Sequence, residues 1–67
     1  MNVLIAMTAL AVGRPTVDDS PGQVAEWYQA KSRLHRYLAE QGGQDAAQET
    51  AYAVAAYEHA RALLRRA

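Results

Sequence analysis

Two histidines, His35 and His59, are the side chains of this sequence best suited to metal binding or proton transfer near neutral pH. A metal site on one helix needs a second ligand three or four residues from the first. His35 has Lys31 and Ala39 at the four-residue spacing, and neither binds metal. The absence of cysteine excludes thiolate ligands. The pattern favours two histidines that pack at the edge of a helix, and we expect no metal and no cofactor.

Nucleophilic catalysis finds little support in the arrangement of the hydroxyl groups. Ser32 has His35 three residues away, but no third group is placed to orient the imidazole. The nucleophile elbow, the dinucleotide-binding glycine motif and the P-loop are all absent. A chain of 67 residues is also too short for a catalytic barrel or a doubly wound sheet. We therefore expect no enzymatic activity.

A short basic stretch formed by Lys31, Arg33 and Arg36 is the best candidate for contact with nucleic acid. Tyr28 and Tyr37 lie on neighbouring turns, and cations interleaved with aromatic rings are typical of nucleic-acid-binding surfaces. Against this interpretation, seven basic residues are balanced by seven acidic ones, so long-range attraction to a polyanion is not expected. A nucleic-acid-binding regulator is therefore the alternative function and is not favoured.

The elements that must position these side chains are two long helices. Ser20 can cap a helix whose first residue is Pro21, and Gln23 stands three residues after the cap, as in a capping box. The first helix is predicted over residues 21–41. Gly42 and the glycine that follows it end this helix.

A second helix is predicted over residues 45–66, because Asp45 is a good N-cap and no residue after it breaks a helix. The connection between the two helices is only about three residues long. Such a short connection makes the helices antiparallel neighbours. Folding the chain about Gly43 places Trp27 and Tyr28 level with residues 57–59.

An apolar block, from Val3 to Val12, precedes the hairpin. Its aliphatic start favours a β-strand, although a short apolar arm is the other interpretation. As a helix it would span about 15 Å, so it is too short to cross a bilayer. The small residues around Leu10 resemble a signal-peptide cleavage site, but no positive charge precedes the apolar run, so a signal peptide is not favoured.

A strand followed by two helices is similar in order to the ribbon-helix-helix repressors. The family pairs this strand with that of a second copy and reads DNA with the outward side chains. The alternate residues of the block include no arginine or lysine, namely Asn2, Leu4, Ala6, Thr8 and Leu10. The resemblance therefore implies only a dimer closed by the first element, and no DNA-reading residue.

Large apolar residues on the two helices define the predicted core. In the first helix, positions 24, 27, 31, 34, 38 and 41 follow a heptad pattern. The second helix carries two adjoining apolar edges, more than one partner helix can cover. The predicted core and interface residues are Val24, Trp27, Tyr28, Leu34, Leu38, Tyr52, Val54, Tyr57, Leu63 and Leu64.

These patterns predict a mainly all-α protein. Residues 1–19 form an apolar arm or strand and a connector, and residues 20–67 form an antiparallel two-helix hairpin. Fifteen residues are alanine, so the hairpin alone has few large apolar side chains to bury. We expect dimerisation to complete a four-helix bundle. The expected function is a small non-enzymatic interaction or regulatory module in the cytoplasm, which self-associates and has a larger protein as a further candidate partner.

Overall fold

The computed structural model describes residues 1–66, which form three α-helices and no strand. Helix α1 spans Val3–Val12, α2 spans Pro21–Glu40 and α3 spans Ala46–Arg66. The predicted end of the hairpin, Ala67, lies outside the described residues. Both long helices are confirmed, each within one residue of its predicted limits.

The start of α2 is the predicted capping box. The Ser20 hydroxyl accepts a hydrogen bond from the Gln23 amide at 3.2 Å, and the Gln23 side chain accepts one from the Ser20 amide at 2.8 Å. The turn into α3 uses Gly42 and Gly43, whose φ angles are +79° and +96°. Residues other than glycine rarely adopt this left-handed backbone conformation. These two glycines therefore end α2 and reverse the chain.

The first element is a helix, so the strand favoured for the start of the chain is wrong. Asn2 caps it by accepting a hydrogen bond from the Ile5 amide at 3.0 Å, and Gly13 closes it by donating to the Ala9 carbonyl at 2.8 Å. A lone strand would have left its backbone groups without partners, whereas a helix satisfies most of them internally. Because the chain does not begin with a strand, it also lacks the element order of the ribbon-helix-helix repressors.

The three helices form a single layer with α2 in the middle. Within residues 1–66, α1 packs against α2 but makes no close backbone approach to α3. The overall extents are 37 × 23 × 15 Å. Both broad faces of the layer are consequently exposed.

Small side chains, rather than large ones, form the contact between α2 and α3. The Ser32 hydroxyl, on a single carbon, reaches across to the Ala53 carbonyl at 2.8 Å, so the two backbones lie very close. The buried residues facing across this contact are Ala25, Ser32, Ala53, Ala56 and Ala60. The predicted heptad on α2 is thus displaced by one residue, because close approach of two helices selects the smallest side chains.

Most of the predicted core residues lie at the flanks of this contact. Leu34 is buried, and five others are half-buried, namely Val24, Trp27, Tyr28, Leu38 and Leu63. The other four, which were predicted as core or interface residues, are 45–51% exposed in the single chain: Tyr52, Val54, Tyr57 and Leu64. A single layer has no second layer to cover them.

Trp27 joins α1 to α2. Its indole Nε1 donates a hydrogen bond of 2.9 Å to the Leu10 carbonyl. That carbonyl lies near the C-terminal end of α1, where the last carbonyl groups have no partner within the helix. Leu34 is seven residues further along α2 and lies on the same side of that helix as Trp27. It is about 200° around the helix from Ser32, which faces α3. Helix α1 therefore packs on the side of α2 that faces away from α3.

Replacing Trp27 by phenylalanine should loosen α1 while leaving the hairpin folded. The change removes the hydrogen bond to Leu10 and costs about 1 kcal/mol of folding free energy. Hydrogen exchange should rise at the α1 amides and stay unchanged at the centre of α3. Tyr37→Phe, which also removes a polar atom from a half-buried ring of α2, is the control. Equal α1 protection in both variants would contradict the tethering role.

Candidate functional site: a tyrosine–histidine cleft and an apolar stripe on opposite faces

The two broad faces of the layer differ because α3 presents a different set of side chains to each. Ala53, Ala56 and Ala60 point at α2. At about 100° per residue, positions 50, 54, 57, 61 and 64 lie to one side of this buried line. Positions 52, 55 and 59 lie to the other side. Each face has its own depression between α2 and α3.

One face carries a cleft of about 450 Å³, which we call the tyrosine–histidine cleft. Both helices contribute to it the same pattern, a tyrosine followed seven residues later by a histidine. Because the helices are antiparallel, the tyrosine of each lies beside the histidine of the other. The lining residues are Tyr28, Lys31, His35, Tyr52, Ala55, Ala56 and His59.

The rings form two pairs across the cleft. Tyr28 lies against His59 with ring centroids 4.2 Å apart, and His35 lies edge-on to Tyr52 at 5.2 Å. The first pair confirms the predicted register, which placed Tyr28 level with residues 57–59. The repeated tyrosine–histidine spacing was visible in the sequence, and combined with that register it would have revealed the cleft.

His35 is held by a carboxylate that sequence reasoning did not connect to it. Its Nδ1 lies 2.5 Å from Oε2 of Glu49, and the two side chains are only 18% and 21% exposed. Within residues 1–66 this is the one contact between a basic side chain and a carboxylate. Glu49 stands in the first turn of α3, where a negative charge is also favoured by the helix dipole. The pair fixes the imidazole and ties the two helices together near the turn.

Replacing Glu49 by alanine should lower the free energy of unfolding by about 1 kcal/mol, because it removes a partly buried hydrogen bond. Glu49→Gln keeps an oxygen acceptor for His35, so its free energy of unfolding should fall by less. Urea denaturation followed by circular dichroism measures both. Glu26→Ala removes the same charge from an exposed position of α2 and should cost less than half as much. Equal losses at positions 26 and 49 would show that the contact adds nothing.

The three candidate nucleic-acid residues do not share one surface. Lys31 belongs to the tyrosine–histidine cleft, where its ammonium lies 5.5 Å from the centroid of the Trp27 ring. Arg33 and Arg36 lie on the opposite face, beside Tyr57. A cationic track needs its charges on one side of the molecule. The geometry therefore separates the basic stretch that the sequence placed together.

The opposite face carries a stripe along α3 from Thr50 to Leu64, which we call the apolar stripe after its members Val54, Tyr57 and Leu64. Arg61 lies at its charged rim. Val54, Tyr57 and Leu64 are 51%, 45% and 47% exposed. The stripe borders a groove of about 370 Å³ whose floor is alanine and whose rim is charged. Two cations and two anions form this rim: Arg36, Arg61, Glu40 and Glu58.

Helix α1 adds a third exposed apolar surface, at the edge of the layer. Leu4, Ile5 and Val12 are 75%, 66% and 83% exposed. Its inner side, formed by Val3, Ala6 and Leu10, is only half-buried. Thr8 is the one polar side chain within the helix. Thr8 lies on this edge beside Leu4, Ile5 and Val12, so the surface offers one hydroxyl and no charged group.

Metal ligands are not gathered anywhere in the described part of the chain: residues 1–66 hold no group of three histidine, cysteine or acidic side chains. None of the three helices in the same range is long and apolar enough to cross a membrane. Comparisons of the chain with protein-family models, with curated proteins and with solved structures give no match.

Proposed function

We propose that this chain is a small non-enzymatic interaction module that works as a homodimer. The observation that supports this best is the missing second layer. Folded domains bury their apolar faces between at least two layers of secondary structure. Here the buried side chains within residues 1–66 are small apart from Leu34, and large apolar side chains remain on the surface.

The apolar stripe of α3 is the proposed contact surface. Val54 and Tyr57 form an apolar centre, and the charged residues lie around it, as in many protein interfaces. In a two-fold symmetric contact each residue meets the same surface of its mate. The rim supplies Arg36 and Arg61 together with Glu40 and Glu58, so one copy offers both charges that the other needs.

The size of the face also suits a second copy. A stable interface buries about 800 Å² on each partner. A broad face of 37 × 23 Å is large enough for that area. Two hairpins stacked through this face would place four long helices around a shared core, which is a four-helix bundle. The exposed edge of α1 would then pack along the mate or against its α1.

The function of such a module is to bring chains together rather than to transform a substrate. The dimer would leave the tyrosine–histidine cleft open on its outer surfaces, and a larger protein is a further candidate partner. A nucleic-acid-binding role is less well supported, because Lys31 is separated from Arg33 and Arg36. Binding through phosphate contacts would weaken steeply with added salt.

Sedimentation equilibrium of the wild-type chain at micromolar concentration tests the proposal. The expected mass is twice the 7.3 kDa of one chain, falling towards the monomer on dilution. Circular dichroism under the same conditions reports whether the helices are intact. A helical monomer of 7.3 kDa throughout this range would refute the homodimer.

A further inference from the structure

The tyrosine–histidine cleft has a gap of defined length between its two ring pairs. Tyr28 and His35 are seven residues apart on α2, as are Tyr52 and His59 on α3. Seven residues of helix correspond to about 10.5 Å along the axis. The backbone levels that carry the Tyr28–His59 pair and the His35–Tyr52 pair are therefore about 10.5 Å apart along the helices, with one pair at each end of the cleft.

The level midway between the ring pairs holds no aromatic side chain of the cleft. Lys31 stands there on α2, and Ala55 and Ala56 stand there on α3. The alanines form a low floor. The result is an open slot with rings at both ends, and Lys31 is the only lysine of the chain.

We propose that this slot binds one small planar aromatic carboxylate. A ring inserted midway would lie about 5 Å from each ring pair, which is within the range of about 4.5–7 Å that aromatic pairs prefer. The volume of about 450 Å³ falls in the range of sites for small molecules. The ligand would lie on the Ala55–Ala56 floor with its carboxylate turned towards Lys31.

The charges around the slot select the ligand and its direction. Lys31 lines the slot, makes no ion pair within residues 1–66 and brings one positive charge, with its ammonium 5.5 Å from the centroid of the Trp27 ring. Glu49 brings a negative charge at the His35 end, where it would repel an anion. The carboxylate is thus directed to the middle of the slot. A single ammonium matches a single negative charge, whereas phosphate is more often held by several donors or by the arginine fork.

Hydroxyl groups at the rim can supplement the lysine. The Tyr52 hydroxyl accepts a hydrogen bond from the Gln48 side chain at 2.7 Å, so its own proton is available to donate to a ligand. Tyr28 lines the other end. The slot is on the face opposite the apolar stripe, so this proposal does not depend on the homodimer.

Isothermal titration calorimetry of the full chain with 2-naphthoate tests the proposal. The expected dissociation constant lies between about 10 µM and 1 mM, the range for a small ligand with one charged contact. Two control probes separate the contribution of the negative charge from that of the planar ring. Naphthalene-2-carboxamide has the same shape without the charge, and cyclohexanecarboxylate has the charge without the planar ring. Each should bind at least about tenfold more weakly than 2-naphthoate, a loss of about 1.4 kcal/mol.

Three variants locate the site. Ala55→Leu fills the slot from an exposed position of α3 and should abolish binding without unfolding the chain. Lys31→Gln should weaken 2-naphthoate about tenfold and leave the carboxamide unchanged. Arg33→Gln removes an equal charge from the other face and should have no effect on either probe. Circular dichroism confirms that each variant is folded.

Several results would overturn the proposal. The first is absence of 2-naphthoate binding up to millimolar concentration. The second is equal binding of 2-naphthoate and either control probe, which would indicate non-specific apolar contact. The third is binding that survives Ala55→Leu. If Ala55→Leu instead changes the sedimentation mass, the face is an interface between copies and the ligand assignment is wrong.

Discussion

Replacing Ala60 by leucine is expected to unfold the hairpin of α2 and α3. Ala60 has no exposed surface and lies on the buried line of α3 that faces α2. A leucine there needs space that the neighbouring backbone occupies, and overpacking of this kind costs about 3 kcal/mol or more. A small domain with few large buried side chains has little more stability than this. Thermal melting followed by circular dichroism should show the loss.

The control for this experiment is Ala51→Leu. Ala51 lies on the same helix but is exposed on the edge of α3 that faces away from α2. The variant adds the same side chain with nearly the same helix propensity, so its stability should change by less than about 0.5 kcal/mol. A normal melting temperature for Ala60→Leu would mean that α2 and α3 are further apart than the Ser32–Ala53 hydrogen bond implies.

The limits of the helices could be predicted from sequence because local interactions set them. Ser20 and Gln23 form their capping box within four consecutive residues. Gly42 and Gly43 end α2 because they can adopt positive φ. Neither feature depends on what packs against the helix, so each can be recognised without knowing the tertiary structure.

The buried face could not be predicted in the same way, because two criteria compete for it. The sequence pattern weights large apolar residues such as Trp27 and Tyr57, which bury the most area when they are covered. The observed contact instead uses Ala56, Ala60 and Ser32, which allow the backbones to approach. Size patterns alone do not show which criterion prevails. The consequence is a heptad displaced by one residue on α2.

Contacts between the helices were the second feature that the sequence pattern did not reveal. His35 and Glu49 are 14 residues apart, and each looked like an isolated surface residue in the sequence. Only the hairpin register brings them together. The strand prediction for α1 failed for a related reason, since that strand could pair only with the strand of a second copy. An unpaired segment of this kind satisfies more of its backbone as a helix.

Val54→Lys is expected to separate the proposed homodimer while leaving each chain helical. Val54 lies near the centre of the apolar stripe and is 51% exposed in the single chain, so a lysine is tolerated there in the monomer. Glu58, four residues later, can pair with it along the helix. In the dimer, the same lysine would be buried at an apolar centre already rimmed by Arg36 and Arg61.

Sedimentation equilibrium should show the dimer dissociation constant of Val54→Lys raised at least about 100-fold, as for loss of a central interface contact. Ala51→Lys adds the same charge three residues away, outside the stripe, and should dimerise like the wild type. Circular dichroism at equal concentration separates dissociation from unfolding. If both variants dimerise equally well, the chains associate through another surface, and the exposed edge of α1 becomes the first to test by the same method, with Leu4→Lys as the variant.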